Sequence, residues 1–325
     1  MGREDRIEEM ERTEILKAPF LFSSRFALAL AAFFGFVVLY IQRFNMSVAI
    51  VCMVNNTAVR AEAGIDADGD LEGETGDRCL ATVTLSNDTT DDETGEFVWS
   101  KPTQGIVLSA FFWGYLLTQL PGGWLATYLG GKRVYGYGQM LASVMALLAP
   151  VASRYSYKAL LVVRFIQGIG QGVVFPAMHA FWGTWAHPYE RSKLVNFTIA
   201  GSQIGNIIVF PLSARLCDKI GWYSIFYICG SFGILWFIGW MFVVYDSPAV
   251  HPRITERERE YIESAIKGNV REEDMPIPWR HLLTSLPVWA IVAAHFSMGW
   301  GFYTLATNLP TFLKEILRFD ITSIH

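Results

Sequence analysis

Seven stretches of predominantly apolar sequence, at 26–54, 105–129, 134–152, 159–185, 194–216, 222–245 and 286–312, decide what this chain can become. Each approaches or exceeds the about 20 residues that an α-helix needs to cross a hydrocarbon core. Lipid offers no water to backbone N–H and C=O groups, so a spanning segment must close its hydrogen bonds internally, as a helix does. The chain is 52% hydrophobic and only 17% charged, where soluble domains carry about 25% charged residues. An all-α polytopic membrane protein is therefore the expected fold class. The N-terminus, MGREDRIEEMERTEILKAPF, is charged and lacks a short apolar core with a small-residue cleavage site. The first span is expected to serve as the insertion signal.

The spans divide the chain into a tail (1–25), a six-helix block (26–245) broken by a loop (55–104), a connector (246–285) and a region opened by the seventh span (286–325). Residues 55–102 hold 12 acids and 3 bases, a composition that cannot bury a core. Two glycosylation sequons stand there, at Asn55 and Asn87, of which Asn87 has the better clearance from the membrane. DADGDLEGETGD (Asp66–Asp77) superficially resembles a calcium loop, but Leu71 and Asp77 occupy the sixth and twelfth places where glycine and a bidentate glutamate are needed. With the N-terminus in the cytosol, the cytosolic segments hold 15 Lys/Arg and the opposite loops 7. Basic residues favour the cytosolic side, and that orientation puts both sequons where glycosylation occurs. The acidic loop gives no reason to expect a nucleic-acid partner.

Cys52 and Cys229 fall inside spans, where a small core residue is expected, and Cys79–Cys217 is the disulfide available if both face the exterior. In the connector, Thr255 and Glu258 have the spacing of a capping box at the start of an amphipathic helix. Its charge run reads as a solvated face.

Charged groups inside spans face a protein interior or a water-filled cavity and mark function by default. Arg43 lies deep in the first span. At 100° per residue, Arg164, Gln167, Gln171, Phe175 and His179 fall on one face of the fourth span, beside a bend expected at Pro176. The two arginines match in depth, and no acid stands inside a span to neutralise them. Two guanidiniums converging on a cavity make an anion site. Gln171 and the aromatics Tyr40 and Phe175 would orient the anion, and Gln203 and Asn206 either line the cavity or tie helices together. His179 titrates near neutral pH and is the available proton carrier. Gly168/Gly172 and Gly201/Gly205 repeat at the four-residue spacing of close helix contacts.

The loop GGWLATYLGGKRVYG resembles the signature of the major facilitator superfamily, with Gly123, Gly130, Lys132 and Arg133 in place and Thr127 where the motif has an acid. Longer strings, FFWGYLLTQLPGGWLA (111–126), FPAMHAFWGTWAHPYERSKL (175–194) and HFSMGWGFYTLATNLPTFLKEIL (295–317), are similar to the anion:cation symporter family. That family holds sialin, the vesicular glutamate transporters and the type I sodium–phosphate cotransporters. The resemblance implies a major facilitator fold, here its N-terminal six-helix half plus the seventh transmembrane helix. It also implies a carrier of small organic or inorganic anions, coupled to H+ or Na+ and working by alternating access without an organic cofactor. Arg43 and Arg164 are matching family positions. The proton-linked members place a glutamate where this chain has Gln171, which cannot titrate. The glutamate branch carries a histidine at the position of Leu108 and an arginine at that of Met298, so the sialin branch fits better. ERTEIL (Glu11, Ile15, Leu16) resembles the sorting signal of sialin, implying sorting adaptors as partners and a lysosomal, vesicular or plasma membrane. The family has twelve spans, so a truncated, non-transporting partner of a full-length carrier is the alternative reading. A seven-helix receptor would place the N-terminus outside, against the basic residues. A membrane enzyme is not expected, because no nucleophile–base pair or metal-ligand cluster stands in or beside the spans.

Overall fold

The computed structural model describes residues 23–55, 58–59, 95–267 and 279–315. Long helices stand at all seven places where the sequence calls for spans. They are α1 (Ser24–Met53), α2 (Lys101–Leu129), α3 (Gly131–Tyr155), α4 (Tyr157–Gly172) continued by α5 (Val174–Trp185), α6 (Pro188–Lys219), α7 (Trp222–Val243) and, after two short helices, α10 (Leu286–Glu315). The short ones are α8 (Glu256–Lys267) and α9 (Trp279–Thr284). By length and composition α1, α3, α4–α5, α6 and α7 suffice to cross a membrane. Among the described residues the only strand-like pairing is a single parallel bridge, Val54 to Phe97.

The fourth span breaks at Val173, between α4 and α5. Pro176 has no N–H to give, and its ring opposes the carbonyl four residues back, at Gly172, where α4 ends. The expected bend is thus an interruption.

Close approach of backbones brings the polar spans together. On α2 and α4, a side chain at Gly114 would strike the Phe165 carbonyl and one at Gly168 the Phe111 carbonyl. Thr118 Oγ1 donates to the Ile169 carbonyl across the same crossing (3.1 Å). Gly201 and Gly205 of α6 lie against the Phe33 and Val37 carbonyls of α1 in the same way. A third fastening is polar: Gln42 Nε2 donates to Ser143 Oγ (2.9 Å) and to the Cys229 carbonyl (3.0 Å). Gln139 Nε2 donates to Gln42 Oε1 (3.2 Å). These bonds tie α1 to α3 and α7 and fix its rotation, so Arg43, one residue on, points away from them toward α2 and α4.

The two ends of the bundle are fastened differently. At the loop end, Asn55 N donates to the Phe97 carbonyl (2.9 Å) and Phe97 N to that of Met53 (2.9 Å), which joins the two feet of the acidic loop. Glu96 takes a bond from Arg154 Nε (3.0 Å) and another from Trp222 Nε1 (3.0 Å). Cys52 is bonded to Cys217, not left as a core residue, because α1 and α6 run side by side and bring the two Cα atoms to 6.5 Å. Cys217 is therefore not available to Cys79, which lies outside the described residues. Cys229 is buried with a free thiol.

At the tail end Arg25, in the first turn of α1, is fully buried. It pairs with Glu190 at the start of α6 and, through Nε, with Glu258 of α8 (3.1 Å). The Glu258 carboxylate also accepts the backbone N–H groups of Ser24 and Arg25 (both 3.2 Å), capping α1. The expected capping box on α8 is thus only half made. Thr255 Oγ1 accepts from Glu258 N (3.4 Å), while the glutamate turns to another helix. The face of α8 bearing Glu258, Tyr261 and Ile262 is buried; Glu256, Arg257 and Glu260 of its charge run face outward, as the sequence suggests.

Candidate functional site

Arg43, on α1, and Arg164, on α4, are each only 2% exposed. The Arg43 guanidinium lies over three rings, Tyr40 (4.8 Å), Phe111 (5.4 Å) and Tyr115 (4.6 Å). Its Nε donates to Gln171 Oε1 (3.3 Å) and its Nη1 to the Tyr303 hydroxyl of α10 (3.1 Å). Arg164 lies over the same Phe111 ring (5.2 Å) and donates through Nη1 to Gln167 Oε1 (2.9 Å). The shared ring puts both cations in one site, as their matching depth suggests.

Each arginine is held by the same device. Gln171 Nε2 donates to the Leu39 carbonyl (3.3 Å) and Gln167 Nε2 to the Gln42 carbonyl (3.3 Å). Both glutamines therefore use one end on a guanidinium and the other on the backbone of α1. Gln171 positions Arg43. One N–H-bearing atom on each arginine, Arg43 Nη2 and Arg164 Nε, is buried and without a partner. No acidic residue occurs in α1, α2, α3, α4, α5 or α7. The acids of α6 sit at its two ends, Glu190 with Arg25 and Asp218 beside the terminal Lys219.

The loop between α2 and α3 turns through Gly130 at φ 93°, a conformation that side chains other than glycine's resist. Thr127 donates to the Gly123 carbonyl of its own helix (3.1 Å). The missing acid comes from elsewhere: Asp246, beyond α7, lies 3.7 Å from Arg133 Nε. Lys132 Nζ sits over the Tyr245 ring (5.0 Å) and Trp240 Nε1 donates to the Lys132 carbonyl (3.0 Å). An exposed pair such as Arg133–Asp246 is worth little alone; its value is in marking where the loop meets the end of α7.

Helices of this number and order, a glycine turn with a basic pair and a buried arginine site agree with a direct comparison. Residues 32–324 match the sequence model of the Major Facilitator Superfamily. The chain belongs to that superfamily. It is 41% identical to sialin of Homo sapiens over 329 aligned positions, covering 99% of the chain and 64% of sialin. A putative inorganic phosphate cotransporter of Drosophila melanogaster is 41% identical over 93% of the chain and 56% of its own length. Vesicular glutamate transporter 2 of Bos taurus is 37% identical over 92% of the chain and 48% of its own length. The chain thus spans less than two thirds of the length of these relatives. In fold it is similar to the inward-facing, unoccupied crystal structure of a bacterial homologue of the human lysosomal transporter Spinster. That likeness has a TM-score of 0.60 at 16% identity and covers 92% of this chain and 57% of the other.

Of the residues singled out in the sequence, Arg43, Arg164, Gln171 and Tyr40 come together. Phe175 packs edge-on against Phe36 (4.9 Å), below them. His179 lies past the break at Val173 and is exposed; its carbonyl accepts from Arg191 Nη2 (3.2 Å). Gln203 is exposed on α6, and Asn206 is half-buried with both amide atoms unbonded. Asn55 accepts from Ala58 N at the loop end (2.9 Å). Asn87, Glu11, Ile15 and Leu16 lie outside the described residues. Sequence reasoning did not nominate Tyr303, Phe111 or Tyr115 for the site. The aromatic-rich strings at 111–126 and 295–317 held them, with nothing local to say which ring faces an arginine.

Proposed function

We propose that this chain supplies the first six helices and the seventh of a secondary carrier for small organic or inorganic anions, working by alternating access. Sialic acid and other acidic sugars, glutamate-like carboxylates and phosphate are the substrate classes. The observation that carries this reading is the pair of sealed guanidiniums with an open N–H on each and, among the described residues, no carboxylate bonded to either. A buried cation with no counter-charge is costly, and an anionic ligand supplies the missing partner with charge-assisted hydrogen bonds. Tyr303 reaches Arg43 from the helix that opens the second half, as expected where a substrate is held between two halves. The N-terminus faces the cytosol in this reading, and the tail's sorting signal directs the protein to a lysosomal or vesicular membrane.

The test is binding of labelled phosphate, glutamate and sialic acid to the purified protein, beside Arg43→Ala and Arg164→Ala. Binding of one anion that both substitutions abolish is the expected result. Binding that survives both, or no binding of any of the three by folded protein, would remove the reading.

A further inference from the structure

Resting on that reading, we propose that Gln42 is a positioning residue for anion binding: through it a polar knot behind α1 sets where both guanidiniums stand. Gln42, Gln139 and Ser143 are each wholly buried. Gln42 Nε2 donates to Ser143 Oγ (2.9 Å) and to the Cys229 carbonyl (3.0 Å), and Gln42 Oε1 accepts from Gln139 Nε2 (3.2 Å). Ser143 Oγ donates in turn to the Gln139 carbonyl (2.8 Å), which leaves its lone pairs for Gln42. Gly233 of α7 makes the space, since a side chain there would strike both Ser143 Oγ and Gln42 Nε2. One side chain of α1 is thus bonded at both ends, to two other helices.

The backbone of the same residue serves the arginines. The Gln42 carbonyl accepts from Gln167 Nε2 (3.3 Å), and Gln167 Oε1 accepts from Arg164 Nη1 (2.9 Å). Arg43 is the next residue in the chain, and its partner Gln171 is fixed to the Leu39 carbonyl (3.3 Å), three residues before Gln42. Both cations therefore take their places from one short stretch of α1, and the knot keys that stretch to α3 and α7. Apolar neighbours slide past one another at small cost, whereas a hydrogen bond weakens steeply as its angle bends. At the outer radius of a helix, about 5–6 Å, a turn of about 10° moves a group by about 1 Å. A shift of that size is enough to spoil the alignment of a bound reactant. Within lipid, helices gain little by burying apolar surface on one another, and a buried polar cluster is often no more stabilising than apolar residues of its volume. What the knot supplies is register more than stability, and the two can be separated.

The experiment compares the purified full chain with Gln42→Leu and with the triple variant Gln42→Leu/Gln139→Leu/Ser143→Ala, which leaves no side chain of the knot stranded. Labelled phosphate, glutamate and sialic acid are titrated onto each, and the thermal midpoint is recorded beside the dissociation constant. The triple variant should keep its midpoint yet bind the anion about tenfold more weakly or worse, the scale on which groups behind a ligand act. Gln42→Leu should lose as much affinity and lower the midpoint too, because it strands Ser143 and Gln139. Recovery of the midpoint without the affinity is what a merely structural knot would not give. Ser143→Ala, which removes one partner, serves where the triple variant does not fold and should also weaken binding. Unchanged affinity in the folded variants would overturn the proposal. A second readout needs no ligand: hydrogen-exchange protection in α4 should fall in the triple variant, as Gln167 and Gln171 lose their hold on α1, while α5 keeps its own. Full protection retained in α4 would overturn the proposal as well. If the unaltered chain binds none of the three anions, the carrier reading fails by itself, and exchange in α4 still decides whether Gln42 positions the arginines.

Discussion

At the tail end of α1, Arg25 is sealed from water with two carboxylates against it, Glu190 and Glu258. Eighteen residues further along the same helix Arg43 is sealed among rings, a hydroxyl and an amide, and on α4 Arg164 is sealed against a ring and an amide. The residue type and the depth of burial are the same; the company differs. Arg25 is a charge already balanced inside the protein, serving to hold α1, α6 and α8 together. Among the described residues Arg43 and Arg164 meet no acid, and a charge so placed adds nothing to the stability of the fold.

The largest effect should come from breaking the balanced one. Arg25→Met leaves Glu258, 2% exposed, buried without its cation, and should cost about 3–5 kcal/mol, read as a large drop in the thermal midpoint in detergent. Cys52→Ser should come next, at about 2–4 kcal/mol, since it frees a staple across 165 residues. Non-reducing electrophoresis after cleavage between positions 52 and 217 would confirm the pairing by holding the fragments together. Arg164→Met should reverse the sign: a lone buried cation gives way to an apolar side chain of similar length, and the fold is expected to be unchanged or steadier by about 1 kcal/mol or more. Should Arg164→Met unfold the protein as Arg25→Met does, the distinction between balanced and unbalanced arginines collapses.

The smallest effect is a pH dependence confined to the tail end. Burial holds His187 below the ordinary imidazole range, with Glu190 opposing and Arg25 reinforcing. His251 is lowered the same way, chiefly by burial. A histidine whose pKa is depressed by folding takes up its proton more readily when unfolded. Stability is therefore full above about pH 6.5 and falls as the pH drops below it. His187 stacks on the Tyr261 ring (4.7 Å), which in turn lies under Arg25 (5.0 Å). Hydrogen-exchange protection factors in α8, corrected for the intrinsic pH dependence of exchange, should accordingly fall at pH 5.5 relative to 7.5, and His187→Gln should remove most of the change. An equal fall in protection in α3 would place the effect elsewhere.

Much of the site was legible before any coordinates. A charge inside an apolar run is conspicuous, and a 3.6-residue period put Arg164, Gln167 and Gln171 on one face, where they are. The same period failed at His179, because the interruption at Val173 rotates everything after it out of register. Period identifies a face but not the helix that meets it. Tyr303 is 260 residues from Arg43 and Glu258 is 233 from Arg25, and no local pattern links positions so far apart. In the sequence nothing sets Arg25 apart from the other basic residues of the tail. Glu258 was read as a capper of its own helix, which its spacing allowed and the packing of α8 overrode. Asp246 escaped notice because the motif places its acid within the loop, whereas here it arrives from the end of α7.

That Glu258 caps α1 has a mechanical consequence. α8 belongs to the connector that leads on to α10, so the first turn of α1 is gripped by the segment that joins the two halves. From that grip to Arg43 the helix runs unbroken for about 27 Å at 1.5 Å per residue. A helix transmits a push or a twist along its length with little loss. Whatever displaces the connector is thus delivered, as by a crank on a rod, to the Arg43 guanidinium.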